Sequence, residues 1–266
     1  MIDNLRSMWP DLDAVPGTVS VWCAPVGAAE PGYARAEHVP HYAASTMKIA
    51  VLVAAYRHDV DTGIEVTDRF PSAAPGAPRY RLARARDDDP QVWARLGGTA
   101  SLGWLAERMI VTSSNLATNL VLRTVGIPAA DAVWREVGAR DSRIGRGIGD
   151  VAAREAGITN EVTAYDLALL LDAIARDGGR ALATLHATRH RDDLAAGLPP
   201  GTHIAHKSGW VTGVRHGAGI VYPRDRPPYL LVVLSSTTLP DAAARTLLAR
   251  IAMASWSVGA GRSGGQ

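Results

Sequence analysis

The chain has 266 residues, of which 47% are hydrophobic and 20% charged, and its formal net charge is +2. This length and composition can bury a large core, as one domain or as two closely joined ones. The charges are too evenly balanced to indicate a nucleic-acid partner or an acidic polymer. A single cysteine, Cys23, excludes a disulfide framework and a cysteine metal site, and it fits a buried thiol in a strand.

No stretch of 18 apolar residues occurs, so the sequence predicts no membrane-spanning helix. The first five residues lack the basic region and apolar run of a secretory signal. The sequence as it stands therefore predicts a cytoplasmic protein, or a secreted one if a leader has been removed. A monomer or weak dimer is expected.

Apolar residues recur every three positions over the first dozen residues, which predicts an opening helix. Alternating apolar residues then predict two antiparallel strands at Thr18–Ala24 and Tyr33–Val39. A helical stripe follows over Ser45–His58, and the proline-rich segment 71–90 is expected to be a long irregular loop. That loop carries four arginines followed by Asp87-Asp88-Asp89, a mixture that favours a solvated segment over a binding patch.

Helical patterns fill the middle of the chain, over residues 101–110, 116–124, 128–138 and 163–175. Ser101 is the expected cap of the first of these helices. The glycine-rich segment Arg143–Asn160 has little periodicity and predicts an Ω-like loop. Thr163 and Asp166 are spaced like a capping box, with Asp in the usual place of Glu.

A period of two returns in the last third and predicts strands at Thr202–Ser208, Gly217–Tyr222 and Tyr229–Ser235. A closing helix is predicted over Asp241–Trp256. The glycine-rich tail that begins at Gly259 is predicted to be disordered.

These elements predict an α+β fold in which five strands form one antiparallel sheet. Helices from the two chain ends cover one face of the sheet, and the helical middle forms an inserted all-α lobe. The expected boundaries give a discontinuous sheet lobe at 1–40 and 195–266 and a mainly helical lobe at 41–194, with the active site between them.

Only two of the 28 lysines and arginines are lysine, and each lies close to a serine. One stands in Ser45-Thr46-Met47-Lys48 at a helix start, and the other in Lys207-Ser208-Gly209 at a strand end. A lysine can lose its proton when it is buried or crowded by another cation, whereas an arginine keeps its charge. The pattern predicts proton transfer to and from a serine hydroxyl. A serine cap followed by an incidental lysine is the alternative.

Ser45 and Lys48 are three residues apart on a predicted helix, so the hydroxyl and the ammonium share a face and can meet. The helix N-terminus would also stabilise a developing oxyanion near Ser45. A third polar motif, Ser113-Ser114-Asn115, lies in a turn between two helices. Taken alone, that motif and the lysine at the strand end are ordinary turn and strand-end sequences.

The order of the three motifs resembles that of the serine β-lactamase and penicillin-binding protein superfamily, and most closely that of class A β-lactamases. The resemblance covers nearly the whole chain: residues 109–120 are similar to the helix turn of the second motif, and residues 160–164 to the end of the Ω loop. It implies the β-lactamase/DD-peptidase-like fold and catalysis through a covalent acyl-enzyme.

The resemblance also implies a role for each residue of the first two motifs. Ser45 would be the acylated nucleophile, and Lys48 its base or proton shuttle. Ser113 would pass a proton to the departing amide nitrogen. Asn115 would hold a substrate amide and orient the lysine.

For the third motif, the resemblance implies contacts with a substrate carboxylate. Lys207 would attract that carboxylate and would lower the pKa of Lys48 by like-charge crowding. Ser208 would hydrogen-bond the carboxylate, and Gly209 would let the substrate lie along the strand edge.

Further groups would complete the site. The backbone N–H groups of Ser45 and Trp210 would form an oxyanion hole. Arg215 or His216 would support the carboxylate end of the substrate, and a structural hydrogen bond is an open alternative for His216.

Two departures from the family pattern concern the second motif and the Ω loop. Ser114 stands where the family has Asp, which weakens a structural hydrogen-bond network. The Ω loop lacks the usual glutamate pattern that positions the deacylating water. Asp150 falls about where that glutamate is expected and Glu155 is a second candidate, while two solvated loop charges are the alternative.

His186 and His190 are four residues apart, but no third ligand is evident, so a pair of surface histidines is favoured over a zinc site. No metal and no cofactor are predicted. The leading hypothesis is a serine acyl-hydrolase that acts on β-lactams, with slow deacylation. A biosynthetic or housekeeping hydrolase or esterase and a non-hydrolytic β-lactam-binding sensor are the alternatives. The substrate would carry a carboxylate and an amide, lactam or ester.

Overall fold

A computed structural model of the chain describes residues 3–256. Within these residues the strands are β1 (Gly17–Pro25), β2 (Tyr33–Arg35), β3 (His41–Tyr42), β4 (Gly63–Glu65), β5 (Arg69–Phe70), β6 (Tyr80–Arg81), β7 (Thr99–Ser101), β8 (Arg143–Ile144), β9 (Asn160–Val162), β10 (His203–Val211), β11 (Val214–Tyr222) and β12 (Tyr229–Thr237). The helices are α1 (Asp3–Ser7), α2 (Trp9–Asp13), α3 (Lys48–Ala55), α4 (Pro90–Trp93), α5 (Leu102–Val111), α6 (Asn115–Val125), α7 (Ile127–Glu136), α8 (Val151–Glu155), α9 (Ala164–Asp177), α10 (Arg180–His186) and α11 (Asp241–Trp256).

The main sheet has five antiparallel strands in the order β10-β11-β12-β1-β2. This confirms the predicted α+β class and the predicted sheet. The strand β2 ends at Arg35, four residues earlier than its apolar pattern predicts. The strand β10 lies at an edge, so the third motif is on a strand with one side free of strand partners.

Alternate residues of β1 face opposite sides of the sheet. Val19 and Val21 pack into a cluster with residues of α1 and α11, which therefore cover one face as predicted. Trp22 points to the other face, where its ring meets that of Tyr165 in α9 edge-on at 5.1 Å. Cys23 is buried in β1, as predicted, and burial raises the pKa of its thiol to about 12.

The helix α3 is the centre of the helical part of the chain. Seven of its eight residues are buried, and it packs against α5, α6 and α7. A helix that is apolar on all sides belongs in a core. Its first residue, Lys48, therefore enters the protein interior directly after the turn that carries Ser45. The division into two lobes at residues 41 and 194 stays a prediction.

The loops that were predicted to be irregular contain short elements. The segment 71–90 includes β6, which pairs with β5, and a 3₁₀ turn at Arg84–Arg86. The Ω segment contains β8 and α8, and β8 joins β9 and β3 in a small sheet. Ala43 N–H extends this contact by donating to Asn160 O at 2.9 Å. The small sheet thereby ties the Ω loop to the chain just ahead of Ser45.

Two predicted helix caps have different outcomes. Ser101 Oγ accepts from Trp104 N–H at the start of α5, as predicted. Thr163 Oγ1 accepts from Asp166 N–H, but the Asp166 carboxylate accepts from the backbone of Arg140 and Asp141 instead of closing a capping box. The box is therefore half formed, and its acidic residue anchors a loop.

Across residues 3–256, none of the helices combines the length and apolar character that a membrane crossing requires. The predicted disordered tail from Gly259 onward lies outside the described residues.

Candidate active site

Ser45 lies half-buried in a 3₁₀ turn, Ala44–Met47, that leads into α3. The edge strand β10 runs against this turn at Gly209. A Cβ atom at Gly209 would lie 2.9 Å from Ser45 N and 3.1 Å from Thr46 N. A side chain there would push the strand away from the serine, so the close approach of two backbones requires glycine.

Lys48 is fully buried, and its ammonium group makes three hydrogen bonds. Nζ donates to Ser113 O at 2.7 Å, to Ser113 Oγ at 3.1 Å and to Asn115 Oδ1 at 2.9 Å. Burial holds the pKa of Lys48 well below its usual value, and the Lys207 cation lowers it further. The site therefore favours a lysine that can exist as a neutral amine.

Lys207 approaches the same hydroxyl from β10. It is fully buried, and Nζ donates to Ser113 Oγ at 3.0 Å and to Ser208 O at 2.7 Å. Burial lowers its pKa to about 7, with the Asp193 carboxylate opposing the shift and the Arg215 cation adding to it. Two buried lysines thus share one serine oxygen.

Ser113 is the hub of the site. Its Oγ accepts from both lysines and donates to Ser45 Oγ at 3.2 Å. Its backbone has a φ of 60°, an uncommon value for a residue with a side chain. Such a conformation costs about 1–3 kcal/mol and persists only where the surroundings impose it. The structure therefore holds this hydroxyl in place against a local backbone preference.

Asn115 is fixed by two partners. Its Oδ1 accepts from Lys48, and its Nδ2 donates to Arg86 O at 2.7 Å. A backbone carbonyl can only accept, so this contact determines which end of the amide faces the lysine. One Nδ2 hydrogen remains for another partner.

The prediction of a solvated loop is wrong for two of the three consecutive aspartates. Asp89 is fully buried, and its carboxylate accepts from Arg108 Nε at 2.5 Å and from Thr112 Oγ1 at 2.6 Å. The half-buried Asp87 accepts from Ser114 Oγ at 3.1 Å. Both carboxylates lie against the second motif, while the arginines that precede them are exposed.

Arg215 does not offer its charge to a substrate. Its side chain is 4% exposed, and its guanidinium pairs with Asp192 and Asp241 at 3.1 Å each and with Asp193 at 3.7 Å. The Trp210 ring stacks on this guanidinium with 5.1 Å between the ring centroid and Cζ. Three carboxylates already neutralise Arg215, so its predicted role in supporting the carboxylate is corrected to a structural one.

Ser208 and His216 are both buried. Ser208 Oγ has no hydrogen-bond partner among the described residues, and strand alternation turns it away from the face that Lys207 uses. His216 Nδ1 accepts from Ser235 N–H at 3.1 Å, so Nε2 carries the proton and donates to Tyr42 O at 2.9 Å. Burial lowers the pKa of His216 to about 3. A neutral structural histidine is the alternative that the sequence left open.

Asp150 is placed away from the chemistry that the sequence predicts for it. It is 1% exposed and caps α8 by accepting from Ala153 N–H at 3.1 Å. It also accepts from Ser72 Oγ and from Ala73 N–H, both at 2.7 Å. These contacts occupy both oxygens, so the hypothesis that Asp150 is the deacylation base is corrected. Glu155, the second candidate, is exposed at the end of α8.

Asn119 is a site residue that sequence analysis missed. It lies one turn after Asn115 on α6, on the same face. Its side chain clamps Ile148 in the Ω loop by accepting from Ile148 N–H and donating to Ile148 O, both at 2.8 Å. A polar side chain inside an apolar helix was the available signal. The Ω-loop residue that Asn119 holds is thus Ile148, whose aliphatic side chain offers no acid or base.

Among residues 3–256, no group of three His, Cys, Asp or Glu side chains is arranged to hold a metal ion. The helix α10 ends at His186, so His190 does not share its face. The two rings contact different partners, Tyr222 and Trp210.

Comparisons with known proteins agree with this geometry. The β-lactamase of Streptomyces lavendulae is 34% identical over 157 residues, which are 53% of this chain and 52% of the relative. The chain spans about half the length of the curated relatives it matches. Two solved structures share the fold: a β-lactamase from Sphaerobacter thermophilus (TM-score 0.76, 24% identity, 97% of each chain) and a mutant of PBP-A in an acyl-enzyme complex with penicillin G (TM-score 0.78, 20% identity, 96% of each chain). A model of the β-lactamase enzyme family matches residues 4–258, so the chain belongs to that family.

Proposed function

We propose that the protein is a serine hydrolase that opens β-lactams by forming an acyl-enzyme on Ser45. The observation that carries this proposal is the hub at Ser113, whose hydroxyl contacts Ser45 Oγ and both buried lysines. Family membership and relatives named β-lactamases support the same reaction.

The hydrogen bonds support a proton relay whose direction depends on the charge of Lys48. A neutral amine has two N–H bonds and one lone pair. Ser113 O and Asn115 Oδ1 can only accept, so they take both N–H bonds. The lone pair then faces Ser113 Oγ, which donates its own proton to the amine and accepts from Ser45.

Attack by Ser45 on the lactam carbonyl then moves two protons. The proton of Ser45 passes to Ser113 Oγ as the proton of Ser113 passes to Lys48 Nζ, and the new C–O bond creates a tetrahedral oxyanion. Collapse of this intermediate breaks the C–N bond. Ser113 Oγ gives its proton to the departing nitrogen and takes one back from Lys48 Nζ, which becomes a neutral amine again. The backbone N–H groups of Ser45 and Trp210 are the proposed oxyanion donors.

The substrate is proposed to carry a carboxylate and an amide beside the reacting carbonyl. Lys207 is the cation for the carboxylate, whereas the buried Ser208 Oγ faces away from Lys207 and is assigned no contact with the substrate. Asn115 offers its remaining Nδ2 hydrogen to the substrate amide. Gly209 keeps the strand edge close to Ser45, because a Cβ atom there would lie only 2.9 Å from Ser45 N.

Deacylation is proposed to be slow. Asp150 uses both carboxylate oxygens in structural contacts, and the loop residue whose backbone Asn119 holds is an isoleucine, Ile148, which cannot act as a base. A positioned general base contributes roughly 10²–10⁴-fold to a rate. Without such a carboxylate, the acyl-enzyme should persist for minutes or longer. The acyl-enzyme with penicillin G described for a PBP-A mutant supports the expected adduct. The cytoplasmic compartment and the monomer or weak dimer stay predictions.

Intact-protein mass measurement after mixing with a penicillin, a cephalosporin and a simple thioester tests the proposal. We expect a stoichiometric adduct with a β-lactam that maps to Ser45 and then decays with release of hydrolysed product. Ser45→Ala is the matched control and should show no adduct while keeping its melting temperature. Labelling of the thioester alone, or an adduct on another serine, would contradict β-lactam hydrolysis at Ser45.

A further inference from the structure

The second motif lacks its usual carboxylate, and a distant loop supplies one. We propose that Asp87 is a positioning residue that replaces this carboxylate and holds Ser113 and Asn115 in their working geometry. The inference rests on the proposed function, since it concerns the acylation step at Ser45. It adds a residue that lies 27 positions before Ser114 and outside the three motifs.

The Asp87 carboxylate lies at the start of α6. Its Oδ2 accepts from Leu116 N–H at 2.6 Å and from Ser114 Oγ at 3.1 Å, and its Oδ1 accepts from Asp89 N–H at 3.0 Å. The first turn of a helix has free N–H groups and a positive dipole end, both of which favour an anion. Asp87 therefore occupies a place where a carboxylate is stabilised.

Ser114 links this carboxylate to the motif. Its Oγ accepts from Ala117 N–H at 3.1 Å as the cap of α6 and gives its own hydrogen to Asp87. A hydroxyl has a single hydrogen, so the contact with Asp87 fixes the orientation of this cap. Ser114 and Asp87 together bind the free N–H groups at the start of α6, which a single aspartate at position 114 could otherwise do.

Contacts from the same loop surround Ser113 on both sides. Ahead of it, Asp89 accepts from Thr112 Oγ1 at 2.6 Å. After it, Arg86 O accepts from Asn115 Nδ2 at 2.7 Å. Asp87 accepts from Ser114 Oγ and from Leu116 N–H. These anchors can impose the uncommon φ of 60° at Ser113.

The negative charge of Asp87 has a second consequence. Together with Asp88 it raises the pKa of Lys48, against the larger lowering by burial and by Lys207. Asp87 also differs from Asp88 in its contacts, because Asp88 is exposed whereas Asp87 is bound to the motif. Removing the charge of Asp88 therefore changes only the electrostatic effect on Lys48, whereas removing the charge of Asp87 also changes the contacts with the second motif.

Moving the carboxylate between the two positions tests the inference. The variants are Asp87→Asn, Ser114→Asp and the double variant, with Asp88→Asn as the matched charge control. We expect Asp87→Asn to slow acylation by penicillin at least tenfold, mainly in the maximal rate and not in the half-saturating concentration. Ser114→Asp alone should also slow it, because two carboxylates would then crowd one helix end. The double variant should recover to within about threefold of wild type.

The pH profile and thermal melting complete the test. Removing either charge lowers the pKa of Lys48, so in both Asp87→Asn and Asp88→Asn the rate of acylation should begin to rise at a lower pH. Only Asp87→Asn should have a lower maximal rate. Acylation of Asp87→Asn within twofold of wild type, or a double variant no better than the singles, would overturn the inference. If wild-type protein is not labelled, the proposed function fails separately. In that case the melting temperatures of wild type, Asp87→Asn, Ser114→Asp and the double variant test the positioning role of Asp87. Losses that add in the double variant, instead of a recovery, would refute the coupling between positions 87 and 114.

Discussion

Lys48 Nζ lies 3.1 Å from Ser113 Oγ, and through this contact the lysine is linked to Ser45, the proposed nucleophile. The sequence predicts a direct meeting of Ser45 and Lys48 on one helix face. In the structure, the hydrogen bonds of Lys48 go to the second motif, and Ser113 completes the path to Ser45. Local spacing placed the lysine near the site, but the partner came from a turn 65 residues later.

The direction of that contact predicts the effect of Lys48→Arg. A guanidinium keeps its proton in proteins, so it cannot accept from Ser113. We expect acylation by penicillin to fall at least 10²-fold, nearly as far as in Lys48→Ala, and stopped-flow or mass kinetics would measure it. Acylation by the arginine variant within about tenfold of wild type, about 1.4 kcal/mol, would reduce Lys48 to an electrostatic role.

The pKa of Lys207 predicts a falling limb in the pH profile of acylation. Its pKa is lowered to about 7, so the group is charged below that pH and neutral above it. The second-order rate constant reports the free protein. We therefore expect this constant to fall as the pH rises through about 7, because the substrate carboxylate then loses its cation.

Lys207→Arg is the variant that tests this assignment. Arginine stays charged across the range, so the falling limb near pH 7 should disappear while some activity is retained. The profile is measured from pH 5 to 10 with a substrate that has a carboxylate and with its methyl ester. A limb that survives in the arginine variant would assign the titration to another group.

Much of the fold could be predicted because the signals are local. Ser101 precedes an apolar helical stripe, and it caps α5 as expected. Asp166 shows the limit: its spacing from Thr163 fits a capping box, yet its carboxylate binds the backbone of residues 140 and 141. A short acidic side chain can serve its own helix or a neighbouring loop, and sequence spacing does not distinguish the two.

The residues of the candidate site also fall into those with a local sequence signal and those without one. The first and third motifs could be found because lysine is rare in this chain and each lysine lies near a serine, whereas Ser113 was found through the order of the three motifs. Asp87, Asn119 and Arg215 could not be assigned, because their partners are distant in sequence. Arg215 reads as a free cation in the sequence, whereas three aspartates from two other segments pair with it.

The contacts of Asp150 predict a loss of stability and no loss of deacylation. Asp150→Asn would place an amide hydrogen against donors from Ser72, Ala73 or Ala153. Disrupting hydrogen bonds to a charged group typically costs about 1.5–3 kcal/mol, which denaturant unfolding would measure. The lifetime of the Ser45 adduct should stay within twofold of wild type. A much longer lifetime would restore Asp150 as the base, and Glu155→Gln is the control for the exposed loop acid.

Ile148 predicts how deacylation could be added. Its backbone is held on both sides by the Asn119 side chain, its own side chain is half-buried, and Asn119 shares a helix face with Asn115. Ile148→Glu would place a carboxylate on a loop residue whose backbone is already fixed beside the site. Since a positioned base contributes roughly 10²–10⁴-fold, we expect the adduct on Ser45 to decay at least 10²-fold faster, with steady turnover of penicillin.

Ile148→Gln is the matched control, because its side chain has the same length and cannot act as a base. Its adduct should last as long as in wild type within about threefold. The decay is measured by intact mass after excess penicillin is removed. Equal acceleration by Glu and Gln would mean that opening the loop to water is sufficient, and no acceleration by Glu would mean that position 148 points away from the acyl group.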